Sequence, residues 1–337
     1  MPPIETGPPE TQEQKEKAVE AMMTGIEKAH GKGSITNLNS RVGIQMPHIP
    51  TGLYGVDYGV VGIGGLPRAR LIEMYGPESS GKTTVALLAV AQAQAAGGLA
   101  AFVDVEHALD PTWMNKLEVD VDKLLVSQPD SGEEALDIVD RMLDSKAFDI
   151  IVVDSVAALI PKAELEGDIG DSHMGLVARL MGQACRKFTA KVTKSNCSLV
   201  FINQIREKLG VTFGSPETTP GGRALKFFAS LRLDIRRIGQ VKDGEKLIGN
   251  RVKVKGAKNK VGAPYRESEF DLLFESGPDT VGSLFDVAVA HGIIDKSGSW
   301  FSYKGDRLGQ GRLNSIQAMK SIGTKELLSL VREKDKV

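Results

Sequence analysis

GPESSGKTT, residues 76–84, follows the apolar run Leu71-Ile72-Glu73-Met74-Tyr75 and opens an alanine-rich segment of helical character. Strand, glycine-rich loop and helix in that order are what a phosphate-binding P-loop requires. Gly76 and Gly81 let the backbone bend so that successive N–H groups face phosphate oxygens, and the N-terminus of the new helix favours the same negative charge. The stretch Gly76, Pro77, Glu78, Ser79, Ser80, Gly81, Lys82, Thr83 and Thr84 is therefore the expected nucleotide site. Lys82 is expected to reach the β- and γ-phosphates, with the Thr83 hydroxyl on magnesium, so ATP and Mg2+ are the expected cofactors.

Composition sets milder bounds. A chain of 337 residues with 41% hydrophobic content can hold one large α/β domain and one or two small appendages. There is no run of eighteen apolar residues and no basic-then-apolar leader, because MPPIETGPPETQEQKEK is polar and proline-rich; a cytoplasmic protein without membrane contact is the default expectation. Cys185 and Cys197 read as buried reduced thiols, and the five histidines show no metal-ligand spacing. Lys and Arg total 42 against 43 Asp and Glu, which says nothing about nucleic acid. Between Arg223 and Arg266, however, thirteen basic side chains face three acidic ones, a local excess of the kind that marks nucleic-acid contact.

Outward from the P-loop, residues 1–14 read as disordered, being rich in Pro, Glu and Gln. Val19, Met22, Met23 and Ile26 recur at helical spacing, and residues 15–44 read as an N-terminal helix and linker. Residues 45–278 form the expected core. Its first part, 45–70, should be strand and turn; buried strands are expected at Ala100 to Asp104, Leu124 to Val126, Ile150 to Asp154 and Leu199 to Asn203. Helices are expected from Ser131, where Glu134 completes a capping box, and from about Ser172 to Lys194. Such alternation argues for a mainly parallel sheet with helices on both faces. Gln204 to Gly222 is a polar, glycine-rich segment of a length that tends to be functional. Ala229 to Ile235, Arg251 to Val254 and Phe270 to Phe274 read as further strands. Residues 279–337 read as a small C-terminal domain of a helix at Val281 to Ala290, turns and a last helix near Lys325 to Glu333.

Asp154 closes its strand where a P-loop NTPase carries the acid that orients the magnesium shell, so Thr83 and Asp154 are the expected metal residues. Glu106 lies two residues beyond the strand that ends at Asp104, at the edge where ligands bind in open α/β sheets. A carboxylate there can polarise the water that attacks a γ-phosphate, and it reads equally well as a helix-start acid.

Seven blocks carry a resemblance: GPESSGKTT, DVEHALDP (104–111), VVDSVAAL (152–159), EGDIGDSHMG (166–175), FINQIR (201–206), GSPETTPGGRALKF (214–227) and SYKGDRLGQG (302–311). In order and spacing they are similar to the bacterial RecA recombinase family, over about Ile26 to Gly311. The resemblance implies an α/β fold: a RecA-like P-loop NTPase core with a mainly parallel twisted sheet, an N-terminal oligomerisation helix that docks on the neighbouring core, and a small α+β C-terminal domain. It also implies a DNA-dependent ATPase that polymerises as a helical homo-oligomer on single-stranded DNA and pairs it with homologous duplex in DNA repair. Stimulation of self-cleavage of a LexA-like repressor in the SOS response belongs to the same expectation.

Residue by residue, the resemblance makes Glu106 the catalytic carboxylate and Gln204 the sensor that passes the presence of the γ-phosphate to a DNA-binding loop. Asp110 and Trp113 match adenine-contacting positions, the aromatic being usually tyrosine in the family. Glu166 to Met174 and Gln204 to Gly222 resemble the two DNA loops: Arg179, Arg186, Arg206 and Arg223 supply charge, Gly221 and Gly222 allow backbone approach, and Met174 and Leu209 match apolar wedges between stretched groups of bases. Lys258 and Lys260 match a pair inserted across the subunit interface toward the neighbour's ATP, acting as arginine fingers do. Three departures stand out. Gly256-Ala257 replaces two valines before the lysine pair, which loosens that strand or marks a bulge. The block from Pro50 to Gly55 differs from the usual Ser-Thr-Gly-rich one. The family's acidic C-terminal tail is missing, which implies easier access to duplex DNA and weaker dependence on free magnesium. A DNA-binding scaffold or SOS regulator without strand exchange is the alternative function, and a hexameric helicase a third.

Overall fold

The structure is a computed structural model that describes residues 11–31, 34–35, 46–168, 175–207 and 216–335. Helix α1 (Gln12–His30) forms a unit of its own. It starts inside the segment expected to be disordered, because Thr11 and Gln14 close a reciprocal capping box: Gln14 N–H donates to Thr11 Oγ1 and Thr11 N–H to Gln14 Oε1. Its apolar positions Val19 and Met22 are exposed.

The second unit begins with the ladder of β1 (His48–Ile49) and β2 (Leu66–Pro67). Between them the chain forms a π-helical stretch, Gly55–Val61, in a region read as strand and turn. Asp57 is buried and accepts from Thr51 N–H, Thr51 Oγ1 and Gly52 N–H, which winds the Pro50–Gly52 block around one carboxyl group. Burial raises the Asp57 pKa to about 7 against those hydrogen bonds.

The core follows as β3 (Arg70–Gly76), α2 (Lys82–Ala95), β4 (Ala100–Asp104), α3 (Pro111–Lys116), β5 (Leu125–Ser127), α4 (Gly132–Ser145), β6 (Ile150–Asp154), a 3-10 turn at Val156–Ala158, α5 (Lys162–Leu165), α6 (Leu176–Ser195) and β7 (Ser198–Gln204). Next come β8 (Arg206–Glu207), β9 (Glu217–Thr218), α7 (Ala224–Phe228), β10 (Leu231–Asp243), β11 (Lys246–Asn259), β12 (Glu267–Leu273) and β13 (Gly277–Pro278). Nine strands form one sheet in the order β13-β12-β11-β10-β3-β7-β6-β4-β5; the six from β10 to β5 are parallel, and the β11–β13 edge is antiparallel.

The strands β4 and β6 are buried at every position, which is why they read as continuous apolar runs rather than alternating ones. Successive residues still point to opposite faces. Ile72, Met74, Phe102, Val152 and Ile202 join α2 in one core, while Leu71, Val103, Ile151, Val153 and Phe201 join α4 and α6 in another. The alanines of α2 let it lie close to the sheet with most of its residues buried. At α4 the Ser131 hydroxyl accepts from Glu134 N–H as expected, but the Glu134 carboxylate returns to Asp130 N–H, one residue short of a capping box.

The β10–β11 hairpin is far longer than the two short strands read from sequence. Beyond Ile235 β10 becomes largely exposed while β11 stays covered by β12, so the apolar signal of β10 stops where the pairing does not. Gly256-Ala257 is a bulge: Arg232 pairs with Lys258 and Leu233 with Gly256, leaving Ala257 as the extra residue. Gly256 packs closely there, since a Cβ would lie 3.2 Å from Val60 Cγ1 of the π-helical stretch.

Helices α8 (Thr280–Ala290), α9 (Arg312–Ile322) and α10 (Lys325–Asp335) pack on a meander of β14 (Ile294–Ser297), β15 (Trp300–Tyr303) and β16 (Asp306–Gln310) around a third apolar cluster. The meander and α9 escaped the sequence reading, which saw turns there; the strands span only four or five residues with mostly exposed positions. This part is fastened to the sheet by a ring of alternating charges. Arg251 of β11 and Arg312 of α9 both bind Asp271 of β12 and Asp286 of α8, at 2.7 to 3.4 Å. Breaking a mostly buried ion pair leaves an uncompensated charge, so Asp271→Ala is expected to cost about 3 kcal/mol of stability, measured by urea denaturation.

Candidate nucleotide and nucleic-acid site

The site forms at the carboxyl ends of the parallel strands. Register places Gly76 beside Gln204 and Asp104 beside Asp154, and β6 pairs with β7 so that β6 and β4 end two residues, about 7 Å, short of β3 and β7. Gly76 admits no side chain, since a Cβ would lie 2.0 Å from the Ile235 carbonyl oxygen. Gly81 adopts φ +96° as the N-cap of α2, the turn that aims the helix's first N–H groups outward.

Lys82 is 8% exposed, and its Nζ donates to the Pro77 carbonyl across the loop at 2.6 Å. Burial lowers its pKa, opposed by the carboxylates of Asp154, Glu106 and Glu78. The Ser80 hydroxyl is buried in the same loop and has no hydrogen-bond partner. A buried ammonium held by a single loop carbonyl beside an orphaned hydroxyl suits a polyphosphate. Thr83 Oγ1 donates to Asp154 Oδ2 at 2.7 Å. Among the described residues no group of three His, Cys, Asp or Glu makes a metal cage. A hydroxyl and one carboxylate beside a phosphate site fit a magnesium ion that takes its remaining ligands from phosphate and water.

Glu106 is exposed just past β4 on a loop that Asp104 holds, accepting from Ala108 N–H, Leu109 N–H and Gln128 Nε2. Glu106 Oε1 accepts from Gln204 Nε2 at 3.0 Å and from the Ser155 hydroxyl. Ser155 was not singled out from sequence; its only signal was its place after Asp154 in VVDSVAAL. Asp110 caps α3 through Thr112 N–H, and Trp113 donates from Nε1 to Thr84 Oγ1 at 3.3 Å, which ties the ring to the first turn of α2.

Lys258 and Lys260 do not join this cluster. Lys258 pairs with Arg232, itself opposite Glu73, three residues before Gly76 or about 10 Å along the strand. Its Nζ donates to the carbonyls of Lys226 and Phe227 at the end of α7, both at 2.8 Å. Burial and the neighbouring Lys260 lower the Lys258 pKa.

Of the residues expected on DNA, Met174 and Leu209 lie outside the described residues. Arg179, Arg186, Arg206 and Arg223 are exposed. Gly221 and Gly222, at φ +82° and +75°, pack so closely that a Cβ would lie 2.8 Å from Val156 Cγ1 and 2.7 Å from the Ala178 Cβ of α6. The return of the second loop segment thus abuts the helix that ends the first. The basic excess between Arg223 and Arg266 is not an open basic face: Arg232, Arg236, Lys246, Arg251, Lys253 and Lys255 all pair with carboxylates, most of them from outside that stretch. A sequence window counts charge but not the partners that folding brings to it.

Burial, with Glu106 nearby and against the Thr83 hydrogen bond, raises the Asp154 pKa from 3.8 to about 6. A raised carboxyl pKa gives a contribution to stability that is full below the unfolded value and lost as pH rises through the folded one. In chelator, Asp154→Asn should therefore be more stable than wild type at pH 7.5 by up to about 3 kcal/mol, the difference vanishing near pH 4, as read by urea denaturation at each pH.

Comparison with known proteins completes the picture. The family model for the RecA N-terminal domain matches residues 17–279 and that for the RecA C-terminal domain residues 282–334. Protein RecA of Mycobacterium sp. (strain KMS) is 57% identical over 322 residues, 95% of this chain and 92% of the relative. Protein RecA of Mycolicibacterium smegmatis is 60% identical over 301 residues, 89% of this chain and 86% of the relative, and that of Acidothermus cellulolyticus 58% over 301, 89% and 87%. With both domain models matched in order, on a P-loop whose partners meet at the sheet edge, the chain belongs to the RecA family.

Proposed function

We propose that this chain is an ATP-dependent homologous recombinase that forms helical filaments on single-stranded DNA and exchanges strands with homologous duplex. The observation that carries the reading is the contact of Gln204 with Glu106, because it joins the hydrolytic edge of the sheet to the segment that follows Gln204. In the proposed organisation residues 15–44 supply the oligomerisation helix and linker, 45–278 the ATPase core with both DNA loops, and 279–337 the C-terminal domain.

The nucleotide lies along Gly76 to Thr84, its adenine toward Asp110 and Trp113, with Lys82 leaving the Pro77 carbonyl for the phosphates. Thr83 and Asp154 would hold magnesium, which would neutralise charge on the phosphates. Glu106 orients the attacking water and takes its proton. In the present state its Oε1 is occupied by Gln204 and Ser155. Moving the Gln204 amide to a γ-phosphate oxygen frees Glu106 and shifts the start of the second DNA loop in one step. Lys258 and Lys260, placed away from their own P-loop, serve the neighbour's nucleotide, so hydrolysis needs the filament. Met174 and Leu209 are kept as base wedges, with Arg179, Arg186, Arg206, Arg223, Gly221 and Gly222 on phosphates.

No helix among the described residues is long and apolar enough to cross a membrane, and a cytoplasmic site of action is proposed. Repressor self-cleavage, on a LexA-like partner, is carried by family likeness alone. The scaffold reading loses the departures that favoured it: Gly256-Ala257 is absorbed as a bulge that keeps Lys258 in the ladder, and Pro50-Thr51-Gly52 wraps Asp57.

Two outcomes test the proposal. Glu106→Gln should lower single-stranded-DNA-dependent ATP hydrolysis by about 10²–10⁴-fold while nucleotide and DNA binding remain. Lys258→Ala should be similarly inactive, yet an equimolar mixture of the two variants should recover about a quarter of the wild-type rate, because random mixing rebuilds that share of interfaces when the cation acts in trans. No recovery would place Lys258 outside the neighbour's site.

A further inference from the structure

Asn203 is fully buried where β7 hands over to the 204–222 segment, and its amide is engaged at both ends. Nδ2 donates to Glu73 Oε1 at 3.0 Å and to the Pro220 carbonyl at 3.1 Å, while Oδ1 accepts the Gln204 N–H at 3.0 Å. These partners sit on the strand that carries the P-loop, on the return stem of the loop and on the residue that faces Glu106. The orientation of the amide is fixed by chemistry, since two acceptors face one end and one donor the other.

Glu73 makes this junction rigid. Its side chain is fully buried in the middle of β3, and its second oxygen takes Arg232 Nε at 2.5 Å, with that guanidinium 4.5 Å over the Tyr75 ring. A buried ion pair is costly to build, and apolar residues of similar volume would hold the sheet together as well or better. What the pair adds is a fixed acceptor for Asn203. The stem is held from the other side by Arg236, which grips Glu217 with two nitrogens.

We infer that Asn203 is a positioning residue that couples Gln204 to the loop stem at Pro220, with Glu73 as its anchor; this rests on the reading of Gln204 as the phosphate sensor. One side chain bonds both the main chain of the sensor and the main chain of the stem. A displacement of Gln204 toward phosphate is handed to Pro220, and through Gly221 and Gly222, which touch Val156 and Ala178, to the first turns of α6. Serine at 203 cannot span these partners, so the sensor and the stem would move independently.

The test is Asn203→Ser in the full chain. Single-stranded DNA affinity is measured with and without a non-hydrolysable ATP analogue, and analogue affinity without DNA. In the variant the nucleotide-induced gain in DNA affinity should fall about tenfold, while analogue binding without DNA stays within about twofold of wild type. An undiminished gain in the variant overturns the inference alone. Absence of any gain in wild type removes the sensor reading and the inference with it. If the variant does not fold, hydrogen exchange on DNA-free wild type decides: the analogue should slow exchange at the Gly221 and Gly222 amides, and unchanged exchange there overturns the inference.

Discussion

The stagger by which β3 and β7 run two residues past β6 and β4 is the constraint from which the rest of this molecule follows. It is set by a parallel register that pairs Gly76 with Gln204 and Asp104 with Asp154, and the register is held by apolar residues, not by the polar groups that use it. A one-residue slip would exchange the two faces of a strand and drive Ile72 and Met74 out of one core and Leu71 out of the other. Burial on both faces therefore fixes where Lys82, Asp154, Glu106 and Gln204 stand. Two of these groups are charged at a cost there, as the raised pKa of Asp154 and the lowered pKa of Lys82 show.

The same economy explains how one sheet serves two ligands. Gly76 lets β10 approach at the phosphate end, and Gly221 and Gly222 let the second loop segment lie against the 3-10 turn and α6. Each of these contacts is closer than a methyl group permits, so motion in one element meets its neighbour without slack. Charge is distributed with similar restraint. Most arginines and lysines of β10 and β11 are spent on carboxylates inside the fold, which leaves Arg179, Arg186, Arg206 and Arg223, on α6 and around the second segment, as exposed cations beside the proposed DNA path.

Legibility in the sequence followed how local each signal was. The P-loop, the strand ending at Asp154 and the helical faces of α4 and α6 could be read directly, because continuous apolar runs and fixed motif spacing are local properties. Whether Glu106 is a base or a helix-start acid could not be decided from its neighbours, since its partners Gln204 and Ser155 arrive from 98 and 49 residues away. The outer half of β10 was missed because an exposed strand carries no apolar alternation, and the burial of Asp57 in the π-helical stretch because its partners lie in the preceding block. Glu73 was quoted as part of a strand and Asn203 as part of a motif; only folding shows that they bond each other.

Homology-dependent strand exchange tests the central claim most directly, because neither nucleotide binding nor a coat on DNA can produce it. Single-stranded circular DNA is incubated with this protein, ATP and magnesium, together with either homologous or unrelated linear duplex, and joint molecules are followed by gel electrophoresis. Joint molecules with the homologous duplex alone, lost when ATP is omitted, are the expected result. Robust DNA-stimulated hydrolysis without joint molecules on the homologous duplex would contradict it.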